Sequence, residues 1–299
     1  MTSLFDVGKS AIQAYRQSLS VTGQNIANIN TDGYVRREAE LQEVTASQGG
    51  ITSIANQSGL GVRVADIRRS FDELLTSRKL SANANYEQSD SFLKQVEKLE
   101  DLLLPGESDL GSQIGKFFRS LNDVAAAPSD LAPRAVAIES GNSLAEAFNS
   151  TAIQLEQLKK ATLERTSEAV TSLNTITKEL ASVNDRILSA SQSGRSPNSL
   201  LDLRDKLIDE ISKLADITPS YTDRGVANVT IGASGVGPSL ISGNKSTNVG
   251  FIERYDKIGG LQIILHPLAS KTPTSQLSSG KIAGLSEAYG SVRGVIDQV

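Results

Sequence analysis

Cysteine and tryptophan are absent from this sequence, and histidine and methionine each occur once. Without cysteine there is no disulfide framework and no thiolate metal site. The single histidine, His266, stands before Pro267 at the end of an apolar run, and one imidazole cannot supply a histidine metal cluster. Ser-His-Asp and Cys-His catalysis would both depend on it or on a missing thiol. Aromatic residues make up 4% of the chain, too little bulk for a wide core, so narrow helical seams fit the composition better. No segment approaches the roughly 20 apolar residues of a membrane span. The N-terminal stretch is interrupted by Asp6, Lys9 and Arg16 and so lacks the apolar centre of a cleaved secretory signal.

An excess of one charge is missing too. Lys and Arg total 30 against 34 Asp and Glu, a net charge of -4, which implies no polyanion-binding surface and makes nucleic acid an unexpected partner. Arg36-Arg37 and Arg68-Arg69 are isolated basic pairs without interleaved aromatics, and read as solvated or interface charges. Asp202, Asp205 and Asp209 recur at steps of three and four, a spacing that a carboxylate metal site could use. Arg204, Lys206 and Lys213 lie among them, so ion pairs along an exposed helix face are the better account. Glu97, Glu100 and Asp101 read the same way. The glycines of residues 232–237 are followed by no Lys-Ser or Lys-Thr, and indicate a hairpin turn rather than a phosphate cradle. No metal, cofactor or catalytic constellation is expected, and the chain does not read as an enzyme.

What the sequence does contain is helical periodicity. At 299 residues it is long enough for two domains. Leu4, Ala11, Tyr15, Leu19, Thr22 and Ile26 recur at helical steps along one seam, with Lys9, Gln13, Arg16, Gln17 and Gln24 opposite. After Ile26 an Asn-rich run and Asp32-Gly33 end the helix, and Tyr34 and Val35 begin an extended segment. Residues 36–67 read as a strand-rich connector punctuated by Gly49-Gly50, Ser58-Gly59 and Gly61. From Ser70, Phe71, Leu74, Leu75, Arg78, Phe92, Val96, Leu99, Leu102 and Leu103 predict a helix of about nine turns, broken at Pro105-Gly106. A shorter helix over 109–127 has Leu110, Ile114, Phe117, Phe118 and Leu121 on its buried side, and Pro128 and Pro133 bracket a linker.

From Pro133 to about Ser191 the periodicity is clearest. Ala145, Phe148, Ala152, Leu155, Thr162, Ala169, Leu173, Ile176, Leu180, Val183 and Ile187 follow coiled-coil steps, with Lys159 and Thr166 as polar interruptions. Leu158, Leu163, Val170 and Leu188 widen the stripe toward more than one neighbour. Gly194 ends this helix. Ser196 as N-cap and Pro197 at the first helical position start another, with Leu200, Leu203, Leu207, Ile211 and Leu214 on its apolar face. Past Ile217, Val226–Ile231, Phe251–Tyr255 and Leu261–Leu265 read as short strands. From about Gln276, the spacing of Ile282, Leu285, Ala288 or Tyr289, Val292, Val295 and Ile296 returns to helix.

Residues 27–37 resemble the N-terminal motif of the bacterial flagellar axial family of rod, hook and hook-associated proteins, Ala-Asn-x-x-Thr-x-Gly-Tyr-x-Arg. Ala27, Asn28, Thr31, Gly33, Tyr34 and Arg36 match it, while Asp32 stands where the family often has proline. Residues 196–207 resemble the Pro-Asn-x-Leu-Leu-Asp-x-Arg-Asp-x-Leu signature of hook-associated members at the hook–filament junction. There Pro197, Asn198, Leu200, Leu201, Asp202, Arg204, Asp205 and Leu207 fit.

The resemblance implies a mainly α (α+β) fold: an elongated helical bundle with long coiled-coil-like helices and a small inserted β-rich domain. Its parts would be an axial helix and turn (1–35), an extended connector (36–67), a helical domain (68–216), the β-rich domain (217–272) and a returning helix (273–299). It also implies secretion through the flagellar export apparatus without a cleaved signal. The expected partners are further copies in a ring, the hook protein, the second junction protein and an export chaperone of the full-length protein. The family continues into a C-terminal helix that pairs with the first, so the chain is expected to be a front part of such a protein. Leu4, Ala11, Tyr15, Leu19 and Ile26 would then carry assembly, with Asn28, Gly33, Tyr34 and Arg36 setting the connector. The rival readings are another axial protein of hook or rod, a cytoplasmic coiled-coil interaction protein and, far behind, a hydrolase using the aspartate-rich helix.

Overall fold

The structure, a computed structural model, describes residues 4–44, 61–103, 110–192, 197–232, 235–253, 261–266 and 277–298. The first helix, α1 (Leu4–Ala27), leads into an antiparallel ribbon of β1 (Arg37–Glu43) and β2 (Val62–Arg69), with a shift in register between Glu40 and Leu41. Helix α1 packs on both strands. Three helices follow: α2 (Glu73–Leu103), α3 (Leu110–Ala126) and α4 (Leu131–Gln192). At 62 residues, α4 is about 93 Å long and acts as the spine of the molecule. Next comes α5 (Asn198–Leu214), then a four-stranded antiparallel meander of β3 (Ile217–Tyr221), β4 (Ala227–Ile231), β5 (Ser239–Ser242) and β6 (Lys245–Ser246) in that order. A separate hairpin of β7 (Asn248–Glu253) and β8 (Leu261–His266) precedes α6 (Lys281–Ile296), which returns between α2 and α4. The mainly helical fold with small sheets agrees with the sequence expectation.

Local chemistry sets the element starts. Asp72 accepts the Leu75 amide at 2.9 Å and caps α2, and Asp130 accepts the Ala132 amide at 3.0 Å and caps α4. Helix α6 begins after Gly280, whose φ is +90° and whose added Cβ would lie 2.7 Å from the backbone of Ala215. Only glycine fits where α6 crosses the end of α5.

The main core is built by α4, α5, α6 and the meander, around Leu173, Leu180, Ile187, Ile208, Ile211, Ile231, Ile241, Ile282 and Leu285. Two amides of α4 tie the strands to it. Asn184 donates to Ala227 and Gly243 carbonyls at 2.7 Å and accepts the Ala227 amide at 3.1 Å, and Asn174 likewise brackets Val249. A second, smaller cluster joins Leu99 of α2, Leu155 and Leu158 of α4, and Val292 of α6.

Several sequence expectations are corrected. Pro133 does not bracket a linker but sits in the first turn of α4, where its missing N–H removes no helical hydrogen bond. Pro197 precedes α5 rather than opening it, and its carbonyl accepts the amides of Leu200 and Leu201. Phe118 and Leu121 of α3 are exposed, as are Ala145, Phe148 and Ala152 in the first half of α4. The reason is a lack of neighbours: α3 packs extensively on α4 alone, so neither helix can bury a wide stripe there. Leu74 and Leu75 are exposed too, because α2 presents Leu80, Ala84, Ser91, Gln95 and Leu99 to the bundle. Thr166 is not an interruption but is fully buried, its hydroxyl donating to the Thr162 carbonyl at 2.9 Å. Expectations at Gly49-Gly50, Ser58-Gly59, Pro105-Gly106, Gly194 and Ser196, and for the side chain of His266, fall outside the described residues.

Candidate assembly arm and its charged anchor

Helix α1 divides its surface by side-chain size. Toward the ribbon it turns small residues, with Ala14 and Val21 buried and Val7, Ser10, Ala11, Ser18 and Asn25 partly so. Ser10 Oγ donates to the Val7 carbonyl at 2.8 Å and accepts the Val62 amide at 3.2 Å. The ribbon comes so close that a Cβ on Gly61, at φ +114°, would lie 2.1 Å from Ser10 Oγ. The bulky residues point elsewhere: Leu4 (89% exposed), Tyr15 (60%), Leu19 (70%) and Ile26 (68%), joined by Phe5, Ile12 and Ile29. A contiguous apolar stripe of this kind on a helix marks an interaction surface.

The turn that follows is held by one amide. Asn25 donates to the Arg37 carbonyl at 2.8 Å, and its Oδ1 accepts both the Arg37 amide at 3.0 Å and the Tyr34 hydroxyl at 2.8 Å. Helix end, turn and first strand are thereby locked together. Asn28 caps the turn by donating to the Gln24 carbonyl and accepting the Thr31 hydroxyl. Gly33, at φ +80°, lets the turn approach α5, where an added Cβ would meet Lys206 Cβ at 3.2 Å. Arg36, just before β1, is exposed and ion-paired with Glu38 of that strand. Its neighbour Arg37 is the one that reaches inward.

Strand alternation sorts both basic pairs in this way. Arg36 and Arg68 face solvent, while Arg37 and Arg69, opposite each other in the ribbon register, converge on α5. Arg69 Nε lies 2.7 Å from Asp202 Oδ1 and its Nη2 lies 2.6 Å from Asp205 Oδ2. Arg37 Nη2 takes the other Asp202 oxygen at 2.9 Å. Arg204 also pairs with Asp205 at 2.6 Å, donates to the Gly225 carbonyl, and stacks 4.5 Å from the Tyr221 ring centre. Asn198 donates to the Ile67 carbonyl at 2.7 Å. Lys206 reaches Asp32 of the turn at 3.2 Å. The two segments that carry the sequence resemblance, 27–37 and 196–207, are thus in physical contact.

This corrects the expectation of an exposed acidic face at Asp202, Asp205 and Asp209. Asp202 is buried, and its cations come from far away in sequence rather than from the same helix. Asp209 follows the expectation more closely, pairing with Lys213 one turn on, but also with Lys79 of α2. Burial pushes its carboxyl up, yet the hydrogen bonds and charges of Lys79 and Lys213 outweigh this and hold it below the usual carboxylate range. Burial, aided by the charge of Asp205, raises the Tyr221 phenol to about 12. Glu97, Glu100 and Asp101 are exposed on α2. Asn25 was not singled out in the sequence, Arg37 and Arg69 were read only as members of solvated or interface basic pairs, and Asn198 only as part of a matched signature. The available signal was the alternation within each Arg-Arg pair.

Among the described residues no His, Cys, Asp and Glu cluster is arranged to hold a metal, and no helix is long and apolar enough to cross a membrane. Residues 96–299 match the family described as "Flagellar hook-associated protein FlgK helical domain", and residues 5–34 match the family "Flagella basal body rod protein". The chain is 28% identical over 246 residues to flagellar hook-associated protein 1 of Escherichia coli K12, covering 82% of this chain and 44% of that protein. To the protein of that name from Bacillus subtilis 168 it is 28% identical over 310 residues, covering 97% of this chain and 61% of the relative. The chain therefore spans about half the length of the curated relatives it matches. In fold it resembles the solved flagellar hook junction protein FlgK from Burkholderia pseudomallei, with a TM-score of 0.61 at 24% identity, over 71% of this chain and 38% of that one.

Proposed function

This chain belongs to the family of the flagellar hook-associated protein FlgK helical domain, and on that premise we propose that it is a structural component of the bacterial flagellum, joining hook to filament by self-assembly through amphipathic helices. The observation that carries the reading is the exposed stripe of Leu4, Tyr15, Leu19 and Ile26 on a helix already docked by a different, small-residue side. Such a helix is held in place without using the surface it would assemble with. The match of residues 5–34 to the rod-protein family supports an axial role for this segment. The protein acts by assembly rather than catalysis, and works outside the cell after leaving through the flagellar export apparatus. Its partners are other copies in a ring, the hook protein, the second junction protein and, for the full-length protein, an export chaperone.

Within this reading Asn28, Gly33 and Tyr34 shape the turn, while Arg37 and Arg69 bind it to α5, so that the arm leaves the helical domain in one direction. The test is a full-length protein carrying Leu19→Glu with Ile26→Glu. Circular dichroism and thermal unfolding of the purified protein should match the parent, since both side chains are exposed. Cells expressing it should export the protein but build no filament and fail to swim. Normal motility of the double variant would sink the proposal.

A further inference from the structure

The bundle of α2, α4 and α6 has two apolar cores in series, with a polar layer between them. Inward lies the large core of Leu80, Ala169, Leu173 and Leu285, and outward the small one of Leu99, Leu155, Leu158 and Val292. Between them the buried residues of α2 are Ser91 and Gln95, and those of α4 are Thr162 and Thr166. On α6 the same level holds Ser286, Ala288 and Tyr289. Nearly every polar group here is satisfied without joining one long helix to another. Thr162 donates to Leu158 and Thr166 to Thr162, each within α4. Ser286 brackets Leu261 of β8, and the Tyr289 hydroxyl donates to Glu253 of β7. Gln95 is 2% exposed, and its Oε1 has no hydrogen-bond partner among the described residues. A buried amide oxygen in that position is a weak point in a packed interior.

The inner edge of the layer is tight. A Cβ on Gly284 would lie 2.2 Å from the Gln88 carbonyl oxygen and 2.3 Å from Ser91 Oγ, and Ser91 Oγ also approaches the Lys281 carbonyl at 3.2 Å. The backbones of α2 and α6 are clasped there, one turn before Gln95.

We propose that this layer is a joint built into the bundle. The outer parts of α2 and α6, from Gln95 and Val292 onward, separate from α4 as a unit while the inner core stays folded, with the clasp at Ser91 and Gly284 as the fulcrum. The α4 spine runs unbroken through the layer. Opening breaks the small core, while the α2–α6 hydrogen bonds near the clasp, from Ser91 to the Lys281 carbonyl and from Gln88 to Glu287, lie on the inner side of Gln95 and stay closed. The hairpin of α3 and α4, in which α3 packs extensively on α4 alone among the described residues, sits on the outer side of the joint and moves with the spine.

Native-state hydrogen exchange of the complete chain, followed against low urea concentrations, tests this. Amides of residues 96–103 and 292–296 should exchange on the order of tenfold faster than those of 80–90 and 281–286 in the same two helices. They should share one urea dependence and change at a step near Gln95. A smooth gradient toward each helix end would instead be fraying, and would overturn the joint. Gln95→Leu, which fills the layer with an apolar side chain of similar size, should slow the outer amides toward the inner rate and leave the inner ones unchanged. Equal effects on both sides would also overturn it. Should Gln95→Leu fail to fold, the near-isosteric Thr166→Val carries the same comparison.

Discussion

Arg69 of the ribbon and Asp202 of α5 stand 2.7 Å apart across 133 residues of sequence, with side chains only 5% and 12% exposed. Removing one member of a buried pair strands the other, a loss on the order of 3 kcal/mol. Asp202→Ala should therefore lower the unfolding free energy measured in urea by that amount and make the ribbon sensitive to protease. Arg68→Ala, one residue from Arg69 but 69% exposed, should change stability by less than about 0.5 kcal/mol. A double-mutant cycle of Asp202→Ala with Arg69→Ala should return a coupling of about 1–3 kcal/mol.

Asn25 makes three hydrogen bonds that join the end of α1 to the turn and the first strand. Asn25→Ala should cost about 2 kcal/mol, since each partly buried bond contributes about 1 kcal/mol and some groups regain water. Asn25→Asp keeps the acceptor and loses only the donor, so it should cost less. Hydrogen exchange of residues 14–27 is the measurement, because the loss should appear first in α1.

Gly280 combines positive φ with backbone atoms of Ala215 in the space a Cβ would fill. Gly280→Ala faces both strain and overpacking, together about 3 kcal/mol or more. Gly243 also has positive φ, at +60°, but open space around it, so Gly243→Ala should lose only the conformational share, roughly 1 kcal/mol. Thermal unfolding of the two variants separates the contributions.

Tyr221 is held neutral up to about pH 12 against an ordinary value of 10. The folded state binds this proton more tightly, so the stabilisation is fully present below the unfolded value and is lost as pH rises from about 10 to about 12. Because the hydroxyl has no hydrogen-bond partner among the described residues, Tyr221→Phe should be stabilising by about 1 kcal/mol at neutral pH. The variant should also lose this component of alkaline destabilisation, read from denaturation midpoints across that range.

At the acid end Asp209 behaves in the opposite sense. Its folded pKa lies below the ordinary 3.8, so its contribution is present above that value and is lost as pH falls through the lower folded one. Lys79→Met with Lys213→Met should flatten this part of the acid unfolding curve.

Long periodic elements were legible because their signal is repeated. The seam from Leu155 to Ile187 located α4, and the Asn-rich run after Ile26 located the end of α1. Burial was legible only where a helix has neighbours on the expected side, which is why Phe118 and Phe148 are exposed despite their spacing. Strand β3 was not singled out; it carries Pro219, which a sheet accepts because β3 is an edge strand. The charged anchor was least legible. Asp202 and Asp205 have cations nearby in sequence, and those local pairs were sufficient to explain them. The true partners of Asp202, Arg37 and Arg69, are 165 and 133 residues distant, and periodicity carries no information over such separations.

The register of the ribbon sets Arg37 directly across from Arg69, so its terminal rung brings two like charges together. By itself that rung is repulsive. It becomes favourable only when Asp202 arrives between the guanidinium groups, and Asp202 is in place only once α5 has formed on the body of the protein. The arrangement couples closure of the arm's base to formation of the helical body. Until the helical body is in place the base of the arm lacks this charged anchor, and the contacts that aim the apolar stripe relative to α5 are unmade.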